Sequence, residues 1–245
     1  MLEGLRRWLG GSSRQGAPLG TIERWAEGAG GVFKPVRENA GAVIEFVDGS
    51  STWRMEWGEA QRSYVTGHEL RSIAEVGVPR DMQILVINRE LAEALERAVF
   101  EQAVDDLRTR IDTQLPPEAR WLVMYPKLAS QEMGKLRLRY TALGASTALV
   151  AKWLASPLGE ALVQTLSEVA STEPVALTVG RGRLTLRVAM SNPDEVRLSM
   201  WKNVFTAARE AVPAVAEAWR EAERNARHEP TGDTSLLGGL TDESA

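Results

Sequence analysis

Two stretches of the sequence, residues 134–141 and 180–190, carry a basic side chain at nearly every second position. The basic residues that alternate in this way are Lys135, Arg137, Arg139, Arg183 and Arg187. The alternate positions, which lie between and after these basic residues, hold leucine, tyrosine or valine. Because an extended chain turns successive side chains to opposite faces, both stretches are predicted to be strands with one apolar face and one basic face.

The basic faces of these two strands could form an anion-binding site. If the strands lie side by side in one sheet, their arginines share a face, and a further arginine in the turn before the second strand lies at its rim. The predicted binding residues are Arg137, Arg139, Arg181, Arg183 and Arg187. The planar guanidinium group pairs with carboxylate or phosphate through two parallel hydrogen bonds. An acidic peptide, a phosphate-bearing ligand and RNA are therefore the candidate ligands.

A solvated sheet face with interleaved ion pairs is the alternative interpretation of the same residues. Like charges directly opposite one another on a sheet repel, so several cations on one face lower stability unless acids lie between them. Acidic side chains are available on other predicted strands, at Glu45, Glu56, Glu69 and Glu75. Surface ion pairs contribute only about 0–1 kcal/mol each. The sequence leaves both interpretations open.

Residue combinations that support catalysis or metal binding are missing from the sequence. The chain has no cysteine, and its two histidines, His68 and His228, are not in an H-x-x-x-H or E-x-x-H arrangement. Ser199 and Lys202 match the S-x-x-K pattern of serine acyl-enzymes but lack its S-D-N and K-T-G companions. Neither a P-loop nor a G-x-G-x-x-G motif occurs. We predict no catalytic residue, no metal site and no cofactor, which favours a non-enzymatic protein.

The N-terminal segment carries an apolar stripe at helical spacing, formed by Leu2, Leu5, Trp8 and Leu9. A stretch rich in turn-forming residues, Gly10 to Pro18, follows it and is predicted to be a flexible linker. The stripe predicts a docking helix for a partner or a contact with a membrane surface. Packing of the same helix against its own protein is the alternative.

Composition is that of a soluble globular protein. With 44% hydrophobic and 25% charged residues, the 245-residue chain can bury one large core or two small ones. Its longest nearly uncharged run, residues 140–151, is far shorter than the roughly 20 residues of a membrane span. We expect no secretory signal, because the N-terminus lacks a continuous apolar region and a small-residue cleavage site. Together with the lack of cysteine, this predicts a cytoplasmic location.

The net charge of −4 comes from the C-terminal tail. Residues 229–245 carry four of the 33 acidic residues and no lysine or arginine, so the remaining 29 acids balance the 29 bases. A neutral body argues against nucleic-acid binding, which needs a basic excess to displace counterions. Weak charge repulsion also eases self-association, so a homo-oligomer is an open expectation.

Hydrophobic periodicity predicts hairpins of strands combined with long helices. The predicted strands are residues 42–47, 52–57, 68–76, 82–87, 134–141, 174–179 and 180–190. The predicted helices are residues 2–9, 19–29, 89–111, 116–126, 146–155, 157–170 and 193–227. Asn88 and Ser156 are expected to cap helices, and Pro213 to kink or divide the last one. Alternating strands favour an α+β fold, with an antiparallel sheet or sheets built from hairpins and packed against long helices.

Four segments make up the predicted organisation. They are residues 1–18, an amphipathic segment with its linker; residues 19–126, an α+β half with the first hairpin; residues 127–228, an α+β half with the second hairpin and the long C-terminal helix; and residues 229–245, a disordered acidic tail. Because each central segment pairs a hairpin with long helices, the chain could consist of two similar α+β halves.

Residues 173–219 place a hairpin before a long helix that contains Phe205-Thr-Ala-Ala208 and Val212-Pro213. Over about a fifth of the chain, this order resembles the C-terminal half of the type III secretion chaperone-like fold. Bacterial proteins of that fold bind other proteins, so the resemblance implies a protein partner. We expect a cytoplasmic bacterial adaptor or chaperone-like protein. The alternative is a small-molecule enzyme or ligand-binding protein that uses the arginine-rich face for an anionic substrate.

Overall fold

A computed structural model of the chain describes residues 17–36, 41–49, 51–105 and 115–228. Within these residues, eight strands form one sheet in the order β1-β2-β3-β4-β8-β7-β5-β6. The strands are β1 (Val32–Val36), β2 (Gly41–Asp48), β3 (Ser51–Glu59), β4 (His68–Glu75), β5 (Ile84–Asn88), β6 (Tyr140–Gly144), β7 (Val175–Gly180) and β8 (Arg183–Ala189). Every pair of neighbours is antiparallel, which confirms the predicted α+β class.

Six α-helices and one 3-10 helix flank the sheet within the described residues. They are α1 (residues 17–28), α2 (Arg89–Asp105), α3 (Pro117–Met124), the 3-10 helix (Gly134–Leu138), α4 (Thr147–Leu154), α5 (Pro157–Glu168) and α6 (Glu195–His228). In the part of the chain that the structure describes, none of them combines the length and the apolar character needed to cross a bilayer.

One face of the sheet, called the inner face here, is covered along its whole width. The predicted apolar face of β3 lies on it, with Trp53 5%, Met55 0% and Trp57 5% exposed. Helices α1, α4, α5 and α6 pack their apolar sides against this face, and Trp153 and Trp201 are completely buried between them. Because a helix lies over nearly every strand, the inner face contains the main hydrophobic core.

The opposite face, called the outer face, is covered over only part of its width. Helices α2 and α3 pack on β5, β6 and β7 through a second, smaller core around Leu85, Ile87 and Leu143. No helix among the described residues covers the outer side of β1 to β4 and β8. These five strands form what we call the open half of the outer face.

Four sequence-based expectations for this region of the fold were wrong. Residues 134–138 form a 3-10 helix instead of a strand, and Leu138 is 70% exposed. Asn88 does not cap α2, because its side chain bonds the carbonyl of Ser171 and the N–H of Val175 and thereby ties β5 to the start of β7. Helix α6 runs without a break from Glu195 to His228, so the predicted division at Pro213 is wrong. Strand β1 was not predicted.

Other predicted boundaries agree with the structure within a few residues. Ser156 caps α5 as expected, since its Oγ accepts a hydrogen bond from the N–H of Leu158 at 3.3 Å. Ala17 and Pro18, assigned to the linker, begin α1 instead. The apolar stripe Leu2, Leu5, Trp8 and Leu9, the rest of the linker and the tail from 229 to 245 lie outside the described residues.

Replacing Leu186 by alanine tests the assignment of the two faces. Leu186 is completely buried on the inner face of β8, so the free energy of unfolding should fall by about 2–5 kcal/mol. Its neighbour Thr185 points to the outer face, and Thr185→Ala should cost less than about 1 kcal/mol. Urea unfolding followed by circular dichroism measures both values. A larger loss for Thr185→Ala than for Leu186→Ala would contradict the assignment.

Candidate functional site

The arginines of β8 point to the open half of the outer face, as the alternation predicts. Leu184, Leu186 and Val188 are buried on the inner face, while Arg183 and Arg187 alternate with them on the other side. Glu45 on β2 and Arg54 on β3 lie opposite each other on this same outer face. The predicted outward placement is therefore confirmed for Arg183 and Arg187.

Arg137 and Arg139 do not belong to this face, so the predicted face of five cations is wrong. Arg137 lies in the 3-10 helix and donates to the carbonyl of Gly134 at 3.3 Å. Arg139 donates to the carbonyls of Leu166, at 3.2 Å, and of Val169. The last carbonyls of an α-helix lack intrahelical partners, so Arg139 stabilises the end of α5. Alternation alone did not distinguish a strand from this 3-10 helix.

A ladder of alternating charges crosses the open half. On β4, Arg71 lies opposite Arg187 of β8, and Glu75 lies opposite Arg183. Arg183 donates to Glu75 at 2.9 Å, and Arg187 donates to Glu69 Oε1 at 2.6 Å. Each arginine of β8 therefore has a carboxylate partner on β4, as the ion-pair interpretation of the sequence anticipated.

Glu69 is the most deeply buried charge of the ladder. Its side chain is completely buried, although it lies on the less covered face of the sheet. Glu69 Oε2 accepts the backbone N–H of Gln61 at 2.8 Å and lies 3.5 Å from Arg71 Nη1. The loop between β3 and β4, residues 60–67, thus folds back over the ladder and is held by this carboxylate. Because a buried charge without a partner is strongly destabilising, both arginine partners help to compensate the burial of the Glu69 carboxylate.

The next carboxylate along the ladder is Glu56 on β3. Burial raises the pKa of Glu56, but hydrogen bonds and charge from Arg71 and then from Arg54 outweigh this effect and leave the pKa below its ordinary value of 4.5. Arg71 Nε donates to Glu56 at 3.0 Å, so this guanidinium links Glu56 to Glu69. The inner part of the ladder is a connected ion-pair network that extends over β3, β4 and β8.

A second polar contact joins the loop to α3. Arg62 Nε donates to both oxygens of Glu118 at 3.2 Å, and the Glu118 side chain is 4% exposed. The hydroxyl of Tyr64 lies buried in this region and has no hydrogen-bond partner among the described residues. Burial, followed by the nearby carboxylate of Glu118, raises the pKa of Tyr64, so the phenol stays neutral near neutral pH.

Above the ladder the open half contains a groove of about 340 Å³. Its apolar and neutral lining residues include Val47, Thr52 and Ile73. Its charged lining residues, Glu45, Arg54, Glu75 and Arg183, have side chains that are 46%, 53%, 72% and 57% exposed. Because these side chains remain largely solvated, they retain hydrogen-bonding capacity for a ligand. The groove can bind a molecule with apolar and charged parts.

The described residues contain neither a metal-ligand cluster nor an assembled S-x-x-K pair. Among the described residues, no group of three or more potential ligand side chains is placed to hold a metal ion. Ser199 and Lys202, the residues of the S-x-x-K match, are engaged separately: Ser199 accepts from Trp25 Nε1 at 2.9 Å, and Lys202 donates to the carbonyl of Ala29 at 2.9 Å.

Comparisons of the chain with protein-family models, with curated proteins and with solved structures found no match. The functional interpretation therefore depends on the geometry of the open half.

Sequence reasoning missed the residues that make this face distinctive. Arg71 stands beside Leu70 in a strand that was predicted, but its role as a bridge between two carboxylates depends on the order of β3, β4 and β8. Glu69 was named only as an available acid, because its burial arises from the loop that covers it. Val47, 70% exposed beside a hairpin turn, was assigned only to a strand.

Removing the charge of Glu69 should destabilise the protein strongly. Glu69→Gln leaves Arg187 buried without a carboxylate, and the free energy of unfolding should fall by about 3–5 kcal/mol. Glu75→Gln removes an equivalent but largely exposed partner of Arg183 and should cost only about 0–1 kcal/mol. Denaturant titration at neutral pH compares the two variants. Equal losses would show that the buried network contributes no more than a surface pair.

The lowered pKa of Glu56 predicts a defined pH dependence. A carboxylate whose pKa is lower in the folded state stabilises the protein above pH 4.5, and this contribution is lost as the pH falls through the folded-state pKa. The stability difference between wild type and Glu56→Gln should therefore shrink below pH 4.5. Glu59→Gln, an exposed change on the same strand, is the control. A difference that stays constant down to acid unfolding would contradict the assignment.

Proposed function

We propose that the protein is a non-enzymatic protein-binding module that holds an extended segment of a partner protein across the open half of the outer face. The observation that supports this most is the groove itself, which runs beside strands that no described helix covers. Monomeric soluble proteins rarely expose large contiguous apolar patches, and those that they do expose often have a function. Solvent-exposed valines at its margin, Val32 at 58% and Val47 at 70%, add apolar area to the face.

The lining of the groove favours a partner of mixed character. An apolar side chain of the partner would lie over Val47 and Ile73, which the groove presents between its charged residues. Basic groups of the partner would pair with Glu45 or Glu75, and acidic groups with Arg54 or Arg183. An extended peptide presents side chains at a spacing that matches strand pleating, so it can satisfy several of these contacts together.

Binding on the face is favoured over addition of a strand at the edge. The exposed edge strand β1 is only five residues long and contains Pro35. Proline has no N–H to donate and is typical of edges that resist pairing with another chain. Lys34 on the same strand is already paired with Glu45 at 2.6 Å. The edge is therefore a poor template, and the face carries the proposed contacts.

Selection of binding sequences from a phage-displayed peptide library tests the proposal directly. The full-length wild-type protein is the bait, and selected peptides are measured by isothermal titration against Val47→Glu. A carboxylate at position 47 would be desolvated where the apolar side chain of the peptide should lie, so binding should weaken at least about tenfold. Val196→Glu is the matched control. It makes the same substitution at a residue of α6 that is 68% exposed and does not line the groove.

Chemical-shift mapping identifies where a selected peptide binds. Amide signals of β3, β4 and β8 next to the groove should move, while those of α4 and α5 on the inner side should not. The proposal fails if no sequence is selected, if the shifts lie elsewhere, or if Val47→Glu and Val196→Glu bind with equal affinity.

A further inference from the structure

A second cavity, of about 290 Å³, lies where the covered part of the outer face ends. It is bounded by the start of α3, by β8 and by the turn between β7 and β8. Its lining includes the four arginines Arg62, Arg120, Arg181 and Arg183. We call it the arginine pocket. Two of its arginines were named from the sequence, whereas the other two come from the β3–β4 loop and from α3.

Among the described residues, the positive charge that lines the arginine pocket is not balanced by carboxylates. The pocket is lined by four guanidinium groups and one carboxylate, Glu118, which is already bonded to Arg62. Arg183 shares the largely exposed Glu75. Arg120 and Arg181 have no hydrogen bond or ion pair with any other described residue. Two unpaired guanidinium groups thus face one small volume, which an anion would stabilise.

Arg181 occupies a backbone conformation that opposes its residue type. Its φ of 55° is the single positive value for a non-glycine residue in the described parts of the chain. Together with Gly182, at φ 79°, it forms a two-residue hairpin turn of the type that favours asparagine or glycine at this position. An arginine here is conformationally unfavourable, and such residues concentrate at ligand sites.

The walls of the pocket are fixed in place by tight packing. A side chain at Gly180 would approach the Trp121 ring to 2.6 Å, so the indole packs directly against the hairpin. Trp121 also makes an edge contact with Tyr125 at 6.3 Å between ring centroids. The hydroxyl of Tyr125 donates to Gln83 Oε1 at 2.8 Å, which orients another lining residue. Such preorganisation lowers the entropic cost of binding a ligand.

From these observations we infer that the arginine pocket binds a small ligand carrying at least two negative charges on oxyanion groups. The volume suits a compact molecule, at the lower end of small-molecule sites. Arg120 and Arg181 supply the unneutralised charge, and Arg183 adds a third guanidinium that its exposed carboxylate partner does not sequester. A phosphate ester and a di- or tricarboxylate share this chemistry. The site is separate from peptide binding in the groove, although Arg183 lines both.

Calorimetric titration of the full-length protein with pyrophosphate and with citrate, at physiological ionic strength, tests the inference. The test variant combines Arg120→Gln with Arg181→Asn, which removes both unpaired guanidinium groups. Affinity should fall at least about tenfold, since hydrogen bonds between charged groups are lost. The control combines Arg24→Gln with Arg137→Gln, which removes the same total charge from exposed positions outside the pocket.

Arg181→Asn alone provides a second readout that a purely structural role would not give. Asparagine tolerates the left-handed conformation, so the ligand-free melting temperature should rise or stay constant while ligand affinity falls. Tighter binding of pyrophosphate would assign a phosphate ester, and tighter binding of citrate a polycarboxylate.

The inference is overturned if neither anion binds saturably, or if the control variant loses as much affinity as the pocket variant. Val47→Glu should retain anion binding, because Val47 does not line the pocket. If the wild-type protein binds an anion but no peptide, this inference stands and the proposed function fails. If it binds a peptide but neither anion, the proposed function stands and this inference fails.

Discussion

Pairing of β8 with β4 on one side and with β7 on the other holds the protein together. The β4–β8 ladder joins residues more than 100 positions apart, from Glu69 opposite Ala189 to Glu75 opposite Arg183. Without it the strands β1 to β4 would be a separate meander with an exposed apolar face. Contacts of such long range are slow to form but bring distant segments into one core. Strands β1 to β4 also come from the N-terminal part of the chain, so one sheet contains strands of both predicted halves.

The alternation of β8 gives this central strand two different environments. Its leucines complete the inner core beneath α6, whereas its arginines must be neutralised on a face that helices cover only in part. The two requirements are linked. A shift of one residue in the β4–β8 register would turn the leucines to the outer face and the arginines to the inner face. The pairing of Arg187 with Glu69 and of Arg183 with Glu75 therefore supports the same register that buries Leu186.

The features of the fold and of the site that could be predicted are those that depend on neighbouring residues in the sequence. Alternation correctly indicated β3 and β8 and the direction of their side chains, and Ser156-Pro157 correctly marked the start of α5. The segment at 134–138 misled because a few alternating residues also fit a 3-10 turn. The burial of Glu69 and the meeting of Arg62 and Arg120 with the β7–β8 hairpin could not be predicted, since they depend on strand order and on where α3 lies.

The positions of the groove and of the arginine pocket follow from where the helices α2 and α3 stop covering the outer face. Helix α3 reaches β7, where Trp121 contacts Gly180, so the boundary of the covered part lies between β7 and the uncovered strand β8. Arg183 stands at that boundary and lines the groove as well as the arginine pocket. Its partner Glu75 is 72% exposed and cannot hold it as firmly as Glu69 holds Arg187. An anion in the pocket would compete with Glu75 for Arg183, which lines both cavities. The charge that one cavity binds would therefore alter the charge that the other presents.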